Sequence, residues 1–219
     1  MTTSERLGDP EPPLREDGLG FVKRYGIRRV PVNMKCETTV QLIEIGELPA
    51  HVVVFEVLPG SGGPWYFSLT FDPTFSGLTG YFGTPSPTHA LVVWAGSGAI
   101  VDVLQPQRAE HAVVPCITGI AADASQGYLA LAGSHDVAIY SRSGLEYLVE
   151  NLSIDGVEVQ GMDGTVLTGA CRDAATDAEV SFRFDAQSGQ LEGGSAIAIV
   201  RHFSTLRMVG SHAPRRWSG

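Results

Sequence analysis

The 219-residue chain carries 15 Lys and Arg against 24 Asp and Glu, a formal net charge of −9, with 43% hydrophobic residues, 26 Gly and 13 Pro. That length and apolar content suffice for one domain with a sizeable core. No apolar run approaches the length that spans a bilayer, and the acidic balance argues against duplex nucleic acid, whose phosphates it would repel.

The charge is unevenly spread. Residues 1–35 hold seven Lys/Arg against five acids, a net of +2, and residues 201–219 hold four Arg against none, a net of +4. Residues 36–200 hold only Arg108, Arg142, Arg172 and Arg183 against nineteen acids, a net of −15. The chain thus divides into an N-terminal arm (1–35), a main domain (36–200) and a basic C-terminal tail (201–219). An acidic body of this kind steers a basic protein surface or a cation towards itself, an effect that salt screens; solubility alone also accounts for it. The first residues, MTTSERLGDPEPP, have neither the basic nor the apolar region of a signal peptide. Cys36, Cys116 and Cys171 are odd in number and widely spaced. They read as reduced thiols in a cytoplasmic protein, with one disulfide and a spare thiol as the alternative.

In chain order, residues 1–17 are polar and proline-rich and are expected to be disordered. Phe21, Val22, Lys23, Arg24, Tyr25 and Ile27 begin a basic, partly apolar arm, suited to an edge strand or a docking arm. Val40, Leu42 and Ile45 mark the first secure strand, and Val52 to Phe55 a second, followed by the Gly/Pro loop 59–64. In the run Trp65-Tyr66-Phe67, strand alternation puts Trp65 and Phe67 on one face and Tyr66 on the other. The run serves either as a core strand with one exposed ring or as an aromatic platform for a flat ligand or sugar.

Residues 80–89 form a turn region stiffened by Pro85 and Pro87, with His89 at the start of the strand Leu91-Val92-Val93-Trp94. Rigid loops at strand ends are where sites tend to lie, so His89 is the foremost chemical candidate, with a structural histidine as the alternative. Asp102, within Ile100-Val101-Asp102-Val103-Leu104, needs a partner if it is buried. Val113 to Ile117 read as a strand that Pro115 confines to an edge.

From 127 to 194, short apolar runs alternate with turn residues every eight to twelve positions. Leu129 to Ala132 and Val137 to Tyr140 flank the hairpin loop Gly133-Ser134-His135-Asp136, where His135 is a candidate ligand contact. Leu145, Tyr147 and Val149 alternate, and two Asp-Gly turns, at Asp155 and Asp163, bracket Val157, Val159 and Met162. Thr165 to Leu167 pairs with Val180 to Phe184 across the loop 173–177, whose carboxylates lack calcium-loop spacing. Ser195 to Val200 reads as a last strand that pairs with the first one to close the sheet.

Motifs also recur. Ala95-Gly96-Ser97 returns as Ala132-Gly133-Ser134, an offset of 37, with a third echo at Val166-Leu167-Thr168-Gly169. Phe67 to Asp72 with Ser76-Gly77 echoes Phe182 to Asp185 with Ser188-Gly189. This strand–turn–strand grammar, with its period near forty residues, resembles β-propeller blades. The segments Ser86-Pro87-Thr88-His89-Ala90-Leu91-Val92-Val93 and Leu152-Ser153-Ile154-Asp155-Gly156-Val157-Glu158-Val159 resemble uncharacterised bacterial all-β proteins over most of 50–195, and that likeness implies no activity. The expected fold is therefore all-β and antiparallel, either propeller-like or a sandwich or barrel.

The sequence holds no GxGxxG before a helix, no GxxxxGK[ST], no HExxH, no GxSxG and no paired Cys/His spacing. No cofactor and no metal are expected. The first functional expectation is a binding protein whose acidic surface meets a basic partner, as an inhibitor or immunity protein would. The second is a small enzyme with His89 as base, Asp102 or Asp72 as its orienting acid, and Trp65 or Tyr66 holding the substrate. A metabolite- or sugar-binding module presenting Tyr66 or Trp94 is the third.

Overall fold

The computed structural model describes residues 14–31, 42–45 and 51–203. Strands dominate them: β1 (Glu16–Asp17), β2 (Tyr25–Val30), β3 (Leu42–Ile45), β4 (His51–Pro59), β5 (Trp65–Phe71), β6 (Gly80–Gly83), β7 (His89–Trp94), β8 (Ser97–Asp102) and β9 (Glu110–His111). Then come β10 (Gly119–Asp123), β11 (Tyr128–Ala132), β12 (Val137–Ser141), β13 (Gly144–Glu150), β14 (Val157–Asp163), β15 (Val166–Arg172), β16 (Glu179–Asp185), β17 (Gln190–Gly193) and β18 (Ile199–His202). A 3-10 turn, Pro106–Arg108, follows β8, and no helix among the described residues is long and apolar enough to cross a membrane.

The strands form four sheets that follow one another along the chain. The first has the order β2-β4-β5-β3, the second β1-β6-β7-β8-β9, the third β10-β11-β12-β13-β18 and the fourth β14-β15-β16-β17. Pairing is antiparallel except at two edges, where β1 joins β6 and β3 joins β5 in parallel. The described residues are all-β, built of mainly antiparallel sheets of which none closes on itself.

Side-chain alternation explains how the sheets pack. Ala90 and Val92 on β7, with Ala99 and Val101 on β8, meet Phe55, Phe67 and Leu69 of the first sheet. The intervening residues Leu91, Val93 and Ile100 face the other way and meet Leu129, Leu131, Ala138 and Tyr140 of the third. Val137 and Ile139, on the opposite face of the third sheet, pack on Leu167, Phe182 and Phe184 of the fourth. The second and third sheets are thus buried on both faces. This is why their strands read as continuous apolar runs rather than as alternating ones.

Several expectations change here. Val113 to Ile117 is not a strand: Pro115 has no N–H for a ladder, and Cys116 turns the chain at φ +56°. The final strand does not pair with the first to close the sheet. Ala198 N–H donates to Ser195 O at 3.0 Å, turning residues 195–198, and β18 then pairs antiparallel with β13, its partners running from Glu150↔Ile199 to Tyr147↔His202. The echo at Thr168-Gly169 lies inside β15, whereas Ala95-Gly96 and Gly133-Ser134 both link the central strands of their sheets. Within the N-terminal stretch expected to be disordered, Glu16 and Asp17 pair with Tyr81 and Phe82. The basic arm after them supplies edge strand β2, with Ile27 and Val30 buried. Val40, Cys36 and the tail beyond Phe203 lie outside the described residues.

Candidate functional site

The register between β7 and β8 sets the site, because it places His89 directly opposite Asp102. The loop from β6 into β7 is tied to its own backbone. Thr84 Oγ1 donates to the carbonyls of Ser86 (2.9 Å) and His89 (3.1 Å), and His89 N–H donates to Ser86 O at 3.1 Å. Tyr25 of the first sheet adds a hydroxyl bond to His89 O at 2.8 Å. A tight turn braced in this way fixes where the imidazole projects.

That imidazole sits between hydroxyls and a carboxylate. Its Nδ1 lies 2.8 Å from Ser86 Oγ and 3.2 Å from Thr88 Oγ1, while Nε2 lies 4.0 Å from Asp102 Oδ2. Asp102 is buried but not orphaned: its Oδ1 accepts the N–H groups of Leu104 (3.0 Å) and Gln105 (3.2 Å). The spacing of 4.0 Å is beyond a hydrogen bond, so Asp102 acts on the ring through its field. A carboxylate facing Nε2 favours the tautomer with the proton on that nitrogen, which leaves Nδ1 as acceptor. Burial holds the His89 pKa below its usual value; Asp102 opposes that shift, and the nearby Arg108 reinforces it. His89 is accordingly a neutral base at neutral pH.

The ring borders a cavity of about 240 Å³ between the second and third sheets. One wall is Thr84, Ser86 and His89; Arg108 enters from the 3-10 turn, and Tyr140 and Arg142 come from the end of β12 and its turn. Five other described arginines sit in ion pairs: Arg15 with Asp17, Arg28 with Glu56, Arg172 with Asp177, Arg183 with Glu192 and Arg201 with Glu150. Arg108 and Arg142 have no ion-pair partner among the described residues, and they are the two unpaired cations at this cavity.

The other residues singled out from the sequence lie elsewhere. Asp72 caps its own turn, accepting from Thr74 N–H (2.8 Å) and Thr74 Oγ1 (2.6 Å). Trp65 donates from Nε1 to Val103 O at 3.0 Å and packs 5.8 Å from Phe67. Tyr66, on the opposite face, donates to the buried carboxylate of Glu56 at 2.6 Å. Trp94 stands at the far end of β7 from His89, edge-on to Phe55 and Phe71 and 4.6 Å from the guanidinium of Arg29. His135 places Nδ1 3.2 Å from Ser153 O and braces its hairpin. Neither Tyr66 nor Trp94 is fully exposed or fully buried.

Sequence reasoning reached His89 through its position at a strand start and offered Asp102 or Asp72 as its acid; of the two, the structure sets Asp102 beside it. It missed Ser86, Arg108, Tyr140 and Arg142 as site residues. The signal available for the arginines was their scarcity: they are two of the four cations between residues 36 and 200. Among the described residues no three His, Cys, Asp or Glu side chains converge to hold a metal ion.

No protein-family model matches the chain, and no curated protein matches it at a significant level of similarity.

Proposed function

We propose that the protein binds a small anionic metabolite in the cavity between the second and third sheets, with His89 as hydrogen-bond and proton acceptor. One observation carries this reading. In a segment of net charge −15, half of the cations meet without ion-pair partners at a cavity that also holds a neutral, oriented imidazole. Guanidinium groups present paired donors that match carboxylate and phosphate oxygens. The cavity is smaller than most drug-sized pockets, which suits a compact ligand. Calorimetric titration with succinate, malonate and inorganic phosphate tests it. Saturable binding is expected for at least one of them, weakened about tenfold or more in both Arg108→Gln and Arg142→Gln, a loss of roughly 1.4 kcal/mol. No binding, or binding indifferent to both changes, overturns it.

A second reading is favoured by the fourth sheet, which is covered on one face only by the shared core. In and beside it, Asp155, Glu158, Asp163, Asp177, Glu179 and Glu192 are all exposed, while Arg172 and Arg183 are each spent on an acid. A basic protein docking on this face fits that surface. Its mark is a partner captured at low salt and released at high salt, because exposed charges are screened; capture that ignores salt counts against it.

For the architecture we infer a propeller-like arrangement. It is supported by four sheets packed face to face in succession, three of them built on a meander (β6–β9, β10–β13 and β14–β17), and by the matching turns at Ala95-Gly96 and Gly133-Ser134.

A further inference from the structure

We propose that Ser86 is a nucleophile and that the cavity cleaves small carboxylic esters that carry a second, anionic group. This rests on the anion-binding reading and adds a reaction to it. Three observations lead here. Ser86 Oγ lies 2.8 Å from His89 Nδ1, within reach of direct proton transfer. The opposite ring nitrogen lies 4.0 Å from the buried Asp102 carboxylate, whose field favours the tautomer that leaves Nδ1 as acceptor. Both Ser86 and His89 open onto the cavity where Arg108 and Arg142 stand.

Ser86 Oγ attacks the ester carbonyl carbon, and its proton passes to His89 Nδ1. The carbonyl π pair moves to oxygen, where the guanidinium charge at the cavity stabilises it. As that pair returns, the bond from carbon to the alkoxy oxygen breaks. His89 gives its Nδ1 proton to the departing oxygen, which releases the alcohol and leaves an acyl ester on Ser86. A solvent water then loses a proton to His89 and adds to the acyl carbon. The Ser86 oxygen leaves, recovers the proton and frees the acid, so that ester and water become acid and alcohol with no redox change. Asp102, which does not touch the reacting atoms, is a positioning residue.

The charged and titratable groups around His89 set the pH dependence. They are Asp102 on β8, Arg108 from the 3-10 turn, Tyr140 and Arg142 across the cavity, and Tyr25, whose hydroxyl binds the His89 carbonyl. Burial and Arg108 favour neutral imidazole, and Asp102 favours imidazolium. The acid limb of the rate profile should therefore fall below the usual histidine value of about 6.5. Removing the Asp102 charge should move it lower still.

The full chain is treated with a fluorophosphonate probe and mapped by peptide mass spectrometry, and its hydrolysis of p-nitrophenyl hydrogen succinate is followed. Expected are a label on Ser86 that is absent in Ser86→Ala, turnover above buffer, and a drop of about 10²–10⁴-fold in His89→Gln. Asp102→Asn should shift the acid limb to lower pH, which a merely structural defect would not do. Mapping the label on the unmodified protein decides the matter even if a variant fails to fold. No label at Ser86 and turnover equal to buffer, with succinate still bound, overturns the nucleophile while leaving the binding site standing. Loss of succinate binding as well removes both.

Discussion

Single carboxylates do much of the local ordering in this chain. Asp72, Asp123 and Asp185 each end a strand or follow one, and each accepts the backbone N–H two residues on, from Thr74, Ser125 and Gln187. This is the Asx turn expected of such residues, and it explains why Asp72 takes no part in the cavity. Asp173 reaches further. Its Oδ1 accepts Ala196 N–H at 2.9 Å, and its Oδ2 accepts the N–H and hydroxyl of Thr176 at 3.1 and 2.7 Å. The Ala196 bond and the Thr176 hydroxyl hold its pKa at about 2. With an unfolded value of about 3.9, the folded state binds fewer protons there. The resulting stabilisation is complete above pH 4 or so and disappears as pH falls towards 2. Asp173→Asn should therefore lower the urea midpoint at pH 7, and the difference from the parent protein should shrink at pH 2.5. An unchanged difference at both pH values would mean that the carboxylate charge is not what holds the loop.

At the scale of elements, strands divide by whether they are buried on one face or two. Ile139 on β12 is fully buried against the fourth sheet, whereas Ile199 on edge strand β18 is 50% exposed. Ile139→Ala should cost about 2–5 kcal/mol in urea unfolding, from lost transfer energy and a cavity. Ile199→Ala should stay within about 0.5 kcal/mol. The connection ahead of β6 shows a second kind of constraint. A Cβ on Gly77 would lie 2.4 Å from Gly96 Cα and 2.8 Å from Ile117 O, both backbone atoms that no rotamer change can move. Gly77→Ala should destabilise by more than the roughly 1 kcal/mol typical of point mutations, measured in the same unfolding series.

For the whole molecule, the order of the sheets predicts an order of protection. The second and third sheets lie between neighbours, while β17 and β18 are sheet edges. In native-state hydrogen exchange, the amides of β7, β8, β11 and β12 should be the last to exchange and those of β17 and β18 among the first. Uniform protection across all four sheets would argue against a core that is deepest between the second and third. The same stacking makes the cavity, since its walls come from two sheets whose residues are about fifty positions apart.

The all-β class and the Asp-Gly turns follow from the sequence by itself, because they depend on local chemistry: alternation along a strand and Asp-Gly pairs that accept positive φ. Gly156 and Gly164 do adopt φ of +86° and +61°. The short strands β1, β9, β10 and β17 do not stand out in the sequence, and Gly80–Gly83, expected to belong to a turn region, is strand β6. Local reading failed where the chain's neighbours decide. Val113 to Ile117 has strand composition but serves as a link, and β18 found its partner in β13 because the Asp173 clasp delivers it there. The site divides in the same way. His89 was legible because a strand start is a local property, whereas the choice of Asp102 over Asp72 as its neighbour is made by the β7–β8 register. Arg108, Tyr140 and Arg142 reach the cavity only when the third sheet packs on the second, a contact held by non-directional apolar burial that leaves no spacing rule in the chain.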